Sequence, residues 1–106
     1  MKPGLAQLSR HLVEQTRQTR ERLATEKLAI EAIRLQLDQA AQRGEDAVRI
    51  RLELDLRDTG AAKALNAWAG KEGLGITWEM RPLDLPDGRR ITVYDPEIRW
   101  ISVGIR

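Results

Sequence analysis

The residues able to do chemistry are few. The chain has 106 residues with one histidine, no cysteine, three tryptophans and one tyrosine. Without cysteine there is no disulfide, no thiolate metal site and no thiol nucleophile. His11 is the single imidazole, which removes histidine-pair metal sites. Ser9 and Ser102 are the hydroxyls weighed against it, and nucleophilic catalysis would need one of them within hydrogen-bond reach of the base. Ser9 is so close to His11 in sequence that a helix turns the two apart, so His11 reads as a solvated surface side chain. Glu53 and Asp55 fall on one face of a predicted strand, and Glu79 can join them from a neighbour. Three carboxylates on a face suit a hard cation such as Mg²⁺. Arg49, Arg51, Arg57 and Arg81 share that face, however, and neutralise it as cross-strand pairs. Gly70, Gly73 and Gly75 end a helix and do not open one, so they form no phosphate loop. The expectation is a protein that is not an enzyme, with no metal and no cofactor.

The elements that carry these residues follow from composition and periodicity. Hydrophobic residues are 42% of the chain and charged residues 32%, a globular balance. The length fits one small domain with an extension. The net charge is +2. It is unevenly spread: residues 1–43 hold 8 basic and 5 acidic residues, and residues 44–106 hold 10 and 11. The basic excess therefore sits at the N-terminal end, and is small for a nucleic-acid footprint. No apolar run approaches the roughly 20 residues of a membrane span. Met1-Lys2-Pro3-Gly4 leads into a charged segment and not an apolar leader.

Residues 1–44 are read as one long amphipathic helix for oligomerisation. Residues 5–43 contain neither Gly nor Pro, with Pro3 before them and Gly44 after. Leu5, Leu8, Leu12, Thr16, Thr19, Leu23, Ile30, Ile33, Leu37 and Ala40 or Ala41 recur at threes and fours, close to a heptad, with Glu26 breaking the seam. A second stripe, Ala24, Leu28, Ala32 and Leu35, lies roughly opposite the first. Charges stand at i,i+4: Arg10–Glu14, Arg17–Glu21, Arg22–Glu26, Lys27–Glu31 and Arg34–Asp38. They are read as a solvated face laced with pairs. The sharper alternative is a phosphate-binding ridge through Arg10, Arg17, Arg20 and Arg22.

Residues 45–106 are read as a small α+β unit of β-α-β-β-β order. Val48, Ile50, Leu52, Leu54 and Leu56 alternate with polar residues, the mark of a half-buried strand. Asp58 or Thr59 can cap the next helix, whose apolar face is Ala61, Ala64, Leu65, Trp68 and Ala69. Gly73 ends it, with Leu74 folding back. A second strand runs from Ile76 to Met80, limited by Pro82. Pro86-Asp87-Gly88 is a turn. A third strand spans about Arg90–Tyr94, Asp95-Pro96 breaks it, and a fourth spans about Ile98–Ile105.

Residues 56–78 resemble a known βαβ core. Ala64-Leu65, Trp68-Ala69, Gly73-Leu74 and Ile76 are similar to the strand–helix–strand pattern of secretin N-terminal ring domains and of the short N-terminal domain of TonB-dependent transducers. A long helix feeding such a unit resembles periplasmic parts of pilus and type II secretion assembly proteins. The resemblance implies a non-catalytic, ring- or dimer-forming module that binds envelope proteins. It spans 23 of the 106 residues.

The expected function is therefore a protein-interaction or assembly module, acting as a homodimer with a larger partner. Self-association is expected through Leu5, Leu8, Leu12, Leu23 and Ile30. A protein partner is expected at the last strand, on Trp100, Ile101 and Val103. The alternative is a small nucleic-acid-associated protein, using Arg17, Arg20, Arg89, Arg90 and Arg99. The chain as it stands is expected in the cytoplasm, and in the periplasm if it is a piece of an envelope protein.

Overall fold

A helix-permissive stretch free of Gly and Pro becomes two helices. In the computed structural model, which describes residues 5–100, α1 spans Leu5–Lys27 and α2 spans Ile30–Gln42. The single uninterrupted helix expected from the sequence is thus bent. Ala29 leaves helical geometry, with φ −62° and ψ 119°. The reason lies in the phase of the apolar residues. Ala24 and Leu28 are buried one turn apart, and the next buried residue is Ile33. Five residues of continuous helix would turn Ile33 about 140° away from Leu28. Breaking the helix between them resets the phase, so that Ile33 and Leu37 return to the same core. Ala24 and Leu28 of one stripe and Ile33 and Leu37 of the other thus meet in one core, while Ala32 and Leu35 of the second stripe are exposed.

Gly44, at φ 85°, ends α2 with two backbone bonds: Glu45 N–H to Ala40 O at 2.9 Å and Gly44 N–H to Ala41 O at 3.0 Å. Three strands follow, interrupted by a third helix: β1 (Ala47–Arg49), α3 (Gly60–Lys71), β2 (Gly75–Asp84) and β3 (Arg90–Arg99). The sheet is antiparallel in the order β1-β3-β2. The fold is α+β, with three strands among the described residues where four were expected. Thr59 caps α3 by accepting the Ala62 N–H at 3.2 Å. Gly73, at φ 74°, closes its other end, with Leu74 N–H on Ala69 O at 2.8 Å. Ala62, Leu65 and Ala69 are its buried stripe.

Both proline expectations for the sheet are overturned. β2 runs through Pro82, paired with Thr92, and β3 runs through Asp95-Pro96. Ile50 N–H donates to Pro96 O at 2.9 Å, so Pro96 turns its carbonyl and its bare nitrogen toward the β1 side. Pro96 and Trp78 then form a pair without mutual ladder bonds, and the alternation gives Pro82–Thr92 the same character. Pro82 faces its nitrogen outward on an edge strand, and no ladder bond is lost. Pro96 instead interrupts pairing with β1, which stops at Arg49 opposite Glu97.

The long first strand is accordingly only three residues. Beyond it the chain runs along β3 without a ladder, yet Ile50, Leu52 and Leu56 are still buried. Side chains replace the missing strand bonds. Asp95 Oδ1 accepts the Leu52 N–H at 2.9 Å, and Arg81 Nη2 donates to Leu52 O at 2.6 Å. Arg81 Nε donates to Asp95 Oδ2 at 2.7 Å. Asp95 is 1% exposed. Burial pushes its carboxyl up, but the Arg81 guanidinium and the Leu52 N–H outweigh that and hold it below the usual carboxylate range.

The core is shared across the chain. Ala24, Leu28 and Ile33 pack in one cluster with Ile50, Leu52, Leu56, Ala62, Leu65 and Ile98. Burying a side chain such as Leu28 contributes about 1.5–3 kcal/mol. The last turns of α1 are tied down further. Glu21 accepts the Gly60 N–H at 3.0 Å, placing a carboxylate at the N-terminus of α3, and Arg20 pairs with Asp58.

Candidate interaction surface

The first thirteen residues of α1 after Leu5 have no cover. Residues 6–18 are all exposed, whereas Thr19, Arg20, Glu21 and Leu23 are half-buried and Ala24 is fully buried. The molecule is correspondingly elongated, 69 × 31 × 19 Å. Leu8 is 53%, Leu12 52% and Val13 66% exposed. A projecting helix carrying leucines one turn apart has an apolar stripe with nothing on it.

The stripe leads into a groove. Leu23, Leu52, Leu54, Leu56, Leu83 and Leu85 line a hollow of about 370 Å³ between the end of α1, the 50–57 segment and the β2–β3 hairpin. Lys27, Glu53 and Asp84 stand on its rim. A neighbouring hollow is lined by Leu12, Gln15, Thr16, Thr19, Arg20 and Leu54. Leu54 belongs to both, so the two hollows adjoin, the second of them lined mainly by polar side chains.

Some sequence-predicted site residues meet on this surface and others do not. Leu8, Leu12 and Leu23 share the α1 stripe. Leu5 begins the helix. Ile30, across the bend, packs against the protein's own core. Trp100 is half-buried and its N–H donates to Asp46 O at 3.1 Å, which extends the β1–β3 pairing by one bond. Ile101 and Val103, with the remainder of the expected last strand, lie outside the described residues. Ile98 and Arg99 of that expected last strand belong to β3, which is central between β1 and β2. The groove residues Leu54, Leu83 and Leu85 were not singled out from the sequence as a surface. The alternation of Leu83-Asp84-Leu85 at the end of β2 was the available signal.

The five arginines proposed for phosphate contact are each bonded to a carboxylate. Arg17 pairs with Glu14, Arg20 with Asp58, Arg89 with Asp87, Arg90 with Asp84, and Arg99 with Glu97. Of the expected i,i+4 pairs on the long helix, Arg22–Glu26 forms at 3.5 Å. Glu21 turns instead to α3, and the bend separates Lys27 from Glu31. On Glu14 the Arg17 guanidinium lowers the carboxyl from its ordinary range.

Two arginines stack on rings. Arg57 lies 3.3 Å from the Tyr94 ring centre, and Arg34 lies 5.7 Å from that of Trp68. Trp78 Nε1 donates to Asn66 Oδ1 at 3.0 Å, while the buried Trp68 Nε1 has no partner among the described residues. Trp68 and Trp78 pack against the core. Glu53, Asp55 and Glu79 do not gather: Asp55 is held by Arg57 at 2.8 Å, and no group of three acidic, His or Cys side chains with metal-binding spacing occurs among the described residues. His11 and Ser9 stand exposed on the projecting half of α1. No helix among the described residues is long and apolar enough to cross a membrane.

Neither a protein-family model, nor a curated protein, nor a solved structure matches the chain.

Proposed function

We propose that the protein is a non-enzymatic interaction module that self-associates through the projecting half of α1 and presents its α+β body to a larger assembly. One observation carries this reading. Leu8, Leu12 and Val13 are more than half exposed on a helix whose continuation is anchored in the core. Isolated helices of such length are marginal in water. An exposed leucine stripe that leads into an apolar groove marks an association site. The resemblance of residues 56–78 to ring-forming envelope domains suggests a secretion or pilus complex as the setting.

Light scattering tests the self-association. A mass of twice 12.1 kDa at tens of micromolar supports it, and a mass of 12.1 kDa overturns it. Leu12→Asp, which places an unpaired charge in the stripe, should shift the population toward monomer. The nucleic-acid reading is less favoured because its five arginines are already paired with carboxylates. Affinity for DNA or RNA that falls steeply between two salt concentrations would revive it.

A further inference from the structure

We propose that the Arg81–Asp95 pair is a latch that holds residues 51–56 off β3, and that this segment has a second arrangement in which β1 continues along β3 and the leucine-lined hollow closes. The ladder that stops at Arg49 is the starting point. β1 and β3 pair as Ala47–Arg99, Val48–Ile98 and Arg49–Glu97. One bond beyond each end keeps that register: Trp100 N–H on Asp46 O at 3.1 Å and Ile50 N–H on Pro96 O at 2.9 Å. Antiparallel strands exchange bonds at every second position. Asp46–Trp100, Val48–Ile98 and Ile50–Pro96 are therefore the bonded positions, and the next in line is Leu52–Tyr94. In a continued ladder the Leu52 N–H meets Tyr94 O, and the Tyr94 N–H meets Leu52 O.

Both Leu52 groups are taken instead by side chains. The N–H donates to Asp95 Oδ1 at 2.9 Å, and the carbonyl accepts from Arg81 Nη2 at 2.6 Å. Arg81 and Asp95 are themselves joined at 2.7 Å. The latch thus occupies the one donor and the one acceptor that the ladder needs next. Toward β1, the N–H and C=O of Tyr94 and of Thr92 have no backbone partner among the described residues. The segment itself suits a strand, since Val48, Ile50, Leu52 and Leu54 alternate with polar residues. In the continued register Leu52 and Leu54 stay on the sheet face that carries Val48 and Ile98.

Charge decides between the two arrangements. Hydrogen bonds to an ionised partner are roughly twice as strong as neutral ones. The latch gives Leu52 two such bonds, where the ladder gives two neutral ones. Pro96 also weakens the ladder just where the segment departs, because its nitrogen returns no bond to Ile50. The latched arrangement is accordingly the resting one, and the hollow is its consequence. Leu52, Glu53, Leu54 and Leu56 line it together with Leu83 and Leu85. Pairing with Tyr94 and Thr92 draws Leu52 and Leu54 out of that lining. Arg81 and Asp95 are positioning residues for the hollow, acting through the backbone of Leu52.

Amide exchange by nuclear magnetic resonance on the full chain tests this. In the unsubstituted protein the Leu52 amide should exchange slowly and the Tyr94 amide fast. Arg81→Met combined with Asp95→Val removes both charges and fills the site with apolar side chains. The expected result is a folded protein whose Tyr94 amide exchanges slower by about tenfold or more. A Hα–Hα Overhauser contact should appear with it between Glu53 and Val93, the close non-bonded pair of the continued register. A folded double variant lacking either change overturns the proposal and leaves residues 51–56 held by their leucines alone. A Tyr94 amide already as protected as that of Leu52 in the unsubstituted protein also overturns it, because the ladder is then the resting state. Should the double variant not fold, Asp95→Asn decides, since it removes the charge at nearly constant volume. Slowing of Tyr94 exchange by about threefold or more supports the latch, and an unchanged rate overturns it.

Discussion

The two halves of α1 are built from similar residues and live in different surroundings. Residues 19–27 meet the body: Ala24 is fully buried, Glu21 faces α3 and Arg20 pairs with Asp58. Residues 6–18 carry Leu8 and Leu12 on the same stripe and are exposed throughout. Nothing in helix propensity separates the halves, since neither holds Gly or Pro. What separates them is tertiary cover. The anchored half supplies folding energy to this chain, and the free half leaves Leu8, Leu12 and Val13 exposed.

The largest expected effect lies beneath the anchored half. Asp95→Ala removes one member of a buried pair and the acceptor of the Leu52 N–H, leaving Arg81 uncompensated. It should cost about 3–5 kcal/mol in denaturant unfolding. The same group sets a pH dependence. Folding lowers the Asp95 pKa from its ordinary 3.8, so the unfolded chain binds the proton more readily. The stabilisation is therefore complete above the unfolded value and lost as pH falls through the folded value. Acid titration of the parent should show this loss, and Asp95→Asn should flatten it.

Next comes the contrast between two leucines. Leu28→Ala, at a position 1% exposed, should cost about 2–5 kcal/mol. Leu12→Ala should change unfolding of the dilute monomer by about 0.5 kcal/mol or less, as surface changes do. Its effect should appear instead as weaker association. Equal destabilisation by the two would erase the distinction between the halves.

A smaller effect belongs to Glu21→Ala, which removes a carboxylate from the α3 N-terminus. Thr59 still caps the helix, so a loss of about 0.5–1 kcal/mol is expected in thermal melts. The smallest belongs to Arg90→Ala. Its pair with Asp84 is exposed on both sides and should contribute under about 1 kcal/mol.

Much of this architecture was legible in the residues. Gly44 and Gly73 announced both helix ends. The cap was narrowed to Asp58 or Thr59, of which Thr59 serves, and the alternation of Ile50, Leu52 and Leu56 announced their burial. The errors share one cause, which is that hydrogen-bond partners are set by tertiary neighbours. Alternation at 48–56 reports which side chains are buried but not whether the backbone has a ladder. Here Asp95 and Arg81, more than twenty residues away in sequence, supply the Leu52 bonds. Pro82 and Pro96 looked like strand breakers because a sequence does not say which way a missing N–H points. The bend at Ala29 carries no Gly or Pro. Its one sequence signal, the change of stripe from Ala24–Leu28 to Ile33–Leu37, was visible but read as a second face. The groove was the least legible feature, because Leu23, Leu54 and Leu83 come from three separate parts of the chain.

The central claim is that the projecting half of α1 is covered by another molecule in solution. Amide hydrogen exchange reads this directly, since an uncovered helix of this length opens readily and a packed one does not. At tens of micromolar, the amides of residues 10–18 should be protected, and dilution to the nanomolar range should release them. The amides of residues 24–28 and 33–40 should stay protected throughout. Rapid exchange of residues 10–18 at every concentration would contradict the account.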